Sequence, residues 1–94
     1  IDDGYKAAQH CGLSLIAHLN GALKGNFENF RRVIRLGGFV NSDVNFKDHP
    51  KVLNGASDLM VDVFGKQGEH MRVALGANLP LGVAVEVEGL FEIS

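Results

Sequence analysis

Ninety-four residues suffice for one domain, near the small end of what folds around a single core. Hydrophobic residues make up 46%, and nine Lys+Arg stand against eleven Asp+Glu, which argues against disorder and against nucleic-acid or anionic-membrane binding. The lone Cys11 excludes an internal disulfide framework and suits a reducing, cytoplasmic setting, and no apolar run approaches membrane-spanning length.

The chain opens at Ile1 in "IDDGYKAA", which already reads as a helix entry, so we expect residues 1–94 to be the larger part of one domain. Tyr5, Ala8, Gly12, Leu15, Ile16, Leu19 and Leu23 recur at three- and four-residue spacing and predict a helix over 4–24. Asp2 or Asp3 can cap its start, and Gly25 is a stop signal. "FRRVIRLGGFVN", residues 30–41, reads as a strand whose Gly37-Gly38 pair suggests a bulge or a close backbone approach. The polar connection that follows ends in helix-start chemistry, with Asp48 or His49 as cap and Pro50 in the first turn. A second helix over 50–65 carries the stripe Val52, Leu53, Ala56, Leu59, Met60, Val63 and Phe64.

A strand near 70–76 then leads into a Leu79-Pro80-Leu81-Gly82 turn and a last strand over 83–93. In that strand Val83, Val85, Val87, Phe91 and Ile93 point to one side, toward the helices, and Ala84, Glu86, Glu88, Leu90 and Glu92 to the other. The order of elements predicts an α+β layer with two helices on one face of a sheet. The other face mixes apolar and charged residues, the composition of a subunit interface, so self-association is expected.

Arg72 stands out chemically, because a guanidinium is a rigid fork that binds a carboxylate through two parallel hydrogen bonds. If the last two strands pair across the turn, Glu86 falls near it and could orient a water; a cross-strand surface ion pair would explain the same pattern. Cys11 sits on the apolar stripe and reads as an inert thiol, and the four histidines, His10, His18, His49 and His70, form no metal-ligand spacing with it. Arg31, Arg32, Arg35, Lys24 and Lys51 are the one basic concentration, without the interleaved aromatics that stack nucleobases. No phosphate-loop or dinucleotide fingerprint and no nucleophilic triad is legible.

From Arg72 onward the chain resembles the YjgF/RidA family of reactive-intermediate deaminases. The residues that carry the resemblance are Arg72-Val-Ala-Leu-Gly76, Leu79-Pro80 and Gly82-Val-Ala-Val-Glu86-Val-Glu88, with "GFVNSDVNF" at 38–46 and "VLNGASDLMVDVFG" at 52–65. The spacing between Arg72 and Pro80 is one residue shorter than the family's. The resemblance implies a chorismate-mutase-like fold, a homotrimer formed through the sheets, and two N-terminal strands that would precede the first helix. It implies active-site clefts between subunits that need no metal and no bound cofactor. By motif position Arg72 would bind the carboxylate of a small metabolite and Glu86 would position the hydrolytic water. Ala74 would contribute backbone contacts, Asn54 would be the family's second-helix asparagine, and Glu88 would be a supporting residue. The implied activity is hydrolysis of 2-imino acids of the 2-aminoacrylate type to 2-keto acids and ammonia. A keto-acid-binding protein without catalysis and an endoribonuclease acting as a translation inhibitor are the alternatives.

Overall fold

The predicted first helix forms over Asp2–Ala22 (α1) in the computed structural model, which describes residues 2–42, 45–79 and 84–94. Asp2 and Asp3 lie in its first turn, where carboxylates meet the positive end of the helix dipole. Ala8, Gly12, Leu19 and Leu23 of the stripe are buried, and Tyr5, Leu15 and Ile16 are half-buried. Two reverse hydrogen bonds close the helix, from the Gly25 N–H to the Asn20 carbonyl at 3.0 Å and from the Lys24 N–H to the Gly21 carbonyl at 3.2 Å. This is a Schellman end, and its left-handed position belongs to Lys24 (φ 54°), followed by Gly25 (φ 78°).

The remaining elements are β1 (Phe30–Asn41), α2 (His49–Phe64), β2 (Met71–Ala77) and β3 (Val85–Ile93), with short 3-10 turns at Phe27–Asn29 and Gly65–Gly68. Pro50 sits in the first turn of α2. Asp48 holds the N-cap position without a side-chain capping bond, and its carboxylate instead lies 3.6 Å from Lys51 Nζ. Among the described residues no helix is long and apolar enough to cross a membrane.

The sheet order is β2-β1-β3, with β1 parallel to β2 and antiparallel to β3. The parallel pair follows from the helical crossover through α2, which returns the chain alongside β1 in the same direction. The pairing of the last two strands considered from the sequence is therefore corrected: β1 lies between them. On the far side of β1, the alternating Val85, Val87 and Phe91 pack against the core. Pro80, Leu81 and Gly82 of the expected turn lie outside the described residues, as do Val83 at the expected strand start and Asp43 and Val44 after β1.

The core is built from Val33 and Leu36 of β1 and Val52, Leu53 and Met60 of α2, all fully buried. Register shifts against β3 fall between Phe30 and Arg32 and between Val33 and Arg35, not at the glycine pair. Gly37 and Gly38 serve close approach instead. A Cβ on Gly38 would sit 2.7 Å from Leu53 Cδ1, and one on Gly37 would sit 2.8 Å from Glu88 Oε1. Small residues likewise let the helices meet, since Gly12 packs on Ala56 and Leu59 and Gly55 packs on the Tyr5 backbone. Val63, on the same line of α2, is exposed, lining an apolar cleft with Ile16, Phe27 and Phe64.

Candidate anion-binding site

Side chains alternate along β2, so Arg72, Ala74 and Gly76 share the face turned toward α2, opposite Leu36, Gly38 and Val40 of β1. Met71, Val73 and Leu75 take the open face. β2 is an edge strand, which leaves Arg72 exposed at its margin while its guanidinium reaches back to α2. Arg72 Nη1 donates to Asn54 Oδ1 at 2.5 Å and to Ser57 Oγ at 3.2 Å. Asn54 and Ser57 are three apart on one helix and so present their side chains together.

His70 completes the arrangement. It lies two residues before Arg72, just ahead of β2, beside α2. Gly68 places it there: a Cβ at position 68 would stand 2.1 Å from the Met60 carbonyl oxygen, so only glycine lets the turn lie this close to α2. His70 Nδ1 lies 2.5 Å from the Gly68 carbonyl, and Nε2 lies 2.9 Å from Ser57 Oγ. A carbonyl can only accept, so Nδ1 carries the proton. When the ring is neutral, Nε2 accepts from the Ser57 hydroxyl, whose oxygen accepts from Arg72. The result is one directed chain of donors from the arginine and the serine to the Gly68 carbonyl.

An open cleft of about 340 Å³ is lined by Asn54, Ser57, Asp58, Val61, Glu69, His70 and Arg72. The Tyr5 hydroxyl donates to Asp58 Oδ2 at 2.9 Å, and that bond to a carboxylate raises the Tyr5 pKa from its ordinary value. The direct partners of Arg72 are neutral, and among the described residues no carboxylate comes within ion-pair distance of it. Two other strand arginines differ: Arg32 meets Glu92 and Arg35 meets Glu88, each at 3.1 Å on the open face. Arg72 is thus held in place without being neutralised by a direct ion pair, which is the arrangement an anion receptor needs.

The residues singled out in the sequence separate into two places. Arg72, Asn54 and half-buried Ala74 come together on the α2 side. Glu86 does not join them. It pairs with Phe39 in register and faces the open side, while Arg72 pairs with Leu36 and faces the helices. Two strand spacings and a three-residue offset put their Cα atoms roughly 14 Å apart. Glu86 instead lines a second cavity, of about 310 Å³, where Cys11, Ser14, Leu15 and His18 of α1 meet β3. Glu88 lines it too and is engaged by Arg35. Cys11 Sγ lies 3.7 Å from the Val85 carbonyl. Burial raises its thiol pKa, a backbone hydrogen bond at Val87 opposes that, and the Glu86 charge adds to the rise.

Ser57 and His70 were not singled out from the sequence as site residues. A signal was present, because Ser57 follows Ala56 of the apolar stripe, where a hydroxyl needs a partner. His70 and Arg72 also have the i, i+2 spacing that puts two side chains on one side of an extended chain.

Comparison with known proteins agrees with this architecture. Residues 1–90 match the family described as "YjgF/chorismate_mutase-like, putative endoribonuclease". The chain belongs to this YjgF family. Protein TCP17 of Trypanosoma cruzi is 43% identical over 96 residues, a match covering all of this chain and 59% of that protein. The crystal structure of the protein Atu1372 from Agrobacterium tumefaciens, described as of unknown function, superposes with a TM-score of 0.96 at 38% identity. It covers 99% of this chain and 60% of that one. A structure described as a putative endoribonuclease from Shewanella oneidensis MR-1 gives a TM-score of 0.91 at 33% identity, covering 98% of this chain and 61% of that one. The chain therefore spans about 60% of the length of these YjgF-family relatives. The two helices on a three-stranded mixed sheet are the α+β, chorismate-mutase-like fold of that family.

Proposed function

We propose that the protein hydrolyses small 2-imino acids to 2-keto acids and ammonia at clefts between the subunits of a homotrimer. The observation that carries this reading is the Arg72 guanidinium, held by Asn54 and Ser57 and free of direct ion pairs among the described residues. It offers a fork matched to a carboxylate. The imine carbon beside that carboxylate is already electrophilic, so fixing the substrate and one water supplies most of the catalysis. Water adds to the imine carbon to give a carbinolamine, which expels ammonia and leaves the keto acid. Glu86 accepts a hydrogen bond from the water and aims it.

Because Arg72 and Glu86 line separate cavities of one chain, a shared substrate requires Arg72 of one subunit and Glu86 of another. The open sheet face supports such an assembly, since Met71, Leu75 and Leu90 are at least half exposed beside the Arg35–Glu88 pair. The test is the rate of pyruvate release from 2-aminoacrylate, generated in situ by a serine dehydratase, with the full-length protein. Acceleration that disappears in Arg72→Ala supports the reading, and unchanged turnover in that variant refutes it.

The descriptions of the matched family and of the Shewanella relative favour a second reading, RNA cleavage. Against it, Arg32 and Arg35 of the basic concentration are each engaged by a glutamate. Steeply salt-dependent RNA binding lost in an Arg31→Ala/Arg32→Ala variant would favour that reading over the first.

A further inference from the structure

We infer that Ser57 and His70 are positioning residues for Arg72, which set how tightly the site holds a carboxylate. The inference rests on the carboxylate-binding reading of Arg72 and adds two residues and a proton arrangement to it. Arg72 has a long, rotatable side chain on an edge strand, so an unsupported guanidinium would sample many orientations and lose that freedom on binding. Here Nη1 is fixed at two points on α2, Asn54 Oδ1 and Ser57 Oγ, which leaves the rest of the fork for the ligand.

The Ser57 contact has a direction that His70 imposes. A serine hydroxyl can rotate its proton toward either neighbour, and a proton pointing at Nη1 would collide with the donor it should accept from. With Nδ1 committed to the Gly68 carbonyl, neutral His70 presents a lone pair at Nε2 and draws the hydroxyl proton toward itself. The Ser57 lone pairs are then turned to Arg72. Ser57 is 8% exposed, so no bulk water competes freely for that hydroxyl. Gly68 is the steric condition for the arrangement, because any side chain there would push the turn, and His70 with it, off α2.

The variants are Ser57→Ala, His70→Ala and His70→Gln in the full-length protein, where the Gln carbonyl can still accept from Ser57. Two measurements are made on each. Calorimetric titration with pyruvate should show about tenfold weaker binding in Ser57→Ala and His70→Ala, the scale of a lost hydrogen bond to a charged group. His70→Gln should recover most of that loss. Nitrogen-detected NMR of the free protein should place the His70 proton on Nδ1. It should also resolve slowly rotating Arg72 Nη protons that average together in Ser57→Ala and His70→Ala.

Pyruvate binding that is equal in wild type and all variants overturns the positioning role and leaves the carboxylate reading intact. If the wild type binds no pyruvate, the carboxylate reading fails. The NMR result then decides the positioning role alone: a His70 ring carrying its proton on Nε2, or Arg72 signals indifferent to the substitutions, overturns it.

Discussion

Replacing Gly55 by alanine should uncouple the two helices, and with them the Arg72 site. A Cβ at position 55 would sit 1.9 Å from the Tyr5 carbonyl oxygen, 2.9 Å from its carbon and 3.0 Å from the Gln9 nitrogen. An ordinary carbon–oxygen contact is about 3.3 Å, so the helices must separate by roughly 1.4 Å. The obstruction is backbone, which cannot rotate out of the way as a side chain can. Separation opens the packing of Gly12 on Ala56 and Leu59 and loosens the core around Ala8, and overpacking of this kind costs about 3 kcal/mol or more. Gly21→Ala in α1 is the matched control: nothing lies within 4 Å of its Cβ position, and the change should add about 0.5–1 kcal/mol through helix propensity. Urea denaturation of both variants gives the two numbers. A Gly55→Ala variant within 1 kcal/mol of wild type would refute the close helix packing, and with it the account of how Asn54 and Ser57 on either side of Gly55 are aimed.

Two further outcomes follow from local features. Lys24 occupies the left-handed position at the end of α1, so Lys24→Gly should raise the urea midpoint by an amount worth about 0.5–1 kcal/mol, and a lower midpoint would contradict the assignment. Burial raises the Cys11 pKa, so the pH profile of its alkylation should have a higher midpoint in the folded protein than in urea; coincident or inverted midpoints would contradict it. The sign for stability is fixed by the same shift: the unfolded thiol ionises first, so stability declines as pH rises past the ordinary thiol range.

Periodicity made the fold legible. The strand read over 30–41 coincides with β1, and both helix ranges fall within two residues of α1 and α2. The burial of Ala8, Gly12, Leu19, Val52, Leu53, Ala56 and Met60 follows the stripes read from spacing, because core-facing positions recur every three or four residues. Strand order was not legible. The Leu-Pro-Leu-Gly sequence between two strands suggests a hairpin locally, but β1 takes the central place, joined to β2 by a 29-residue crossover, residues 42–70. That is why proximity of Glu86 to Arg72 did not follow, whereas Asn54, one helix turn from Ser57, meets Arg72 directly. Ser57 and His70 were hidden for a related reason, since their partnership depends on how closely Gly68 lets a turn approach the α2 backbone.

On the proposed function, one catalytic site takes Arg72 from one subunit and Glu86 from another. The most direct measurement mixes two full-length variants that should each be inactive alone, Arg72→Ala and Glu86→Gln, after unfolding and joint refolding, and follows imine hydrolysis. Random trimers place an intact arginine opposite an intact glutamate at one interface in four, so activity should return to about a quarter of wild type. Mixtures that stay inactive while forming the same trimers would contradict the account, and would place both groups, or neither, in the site of a single chain.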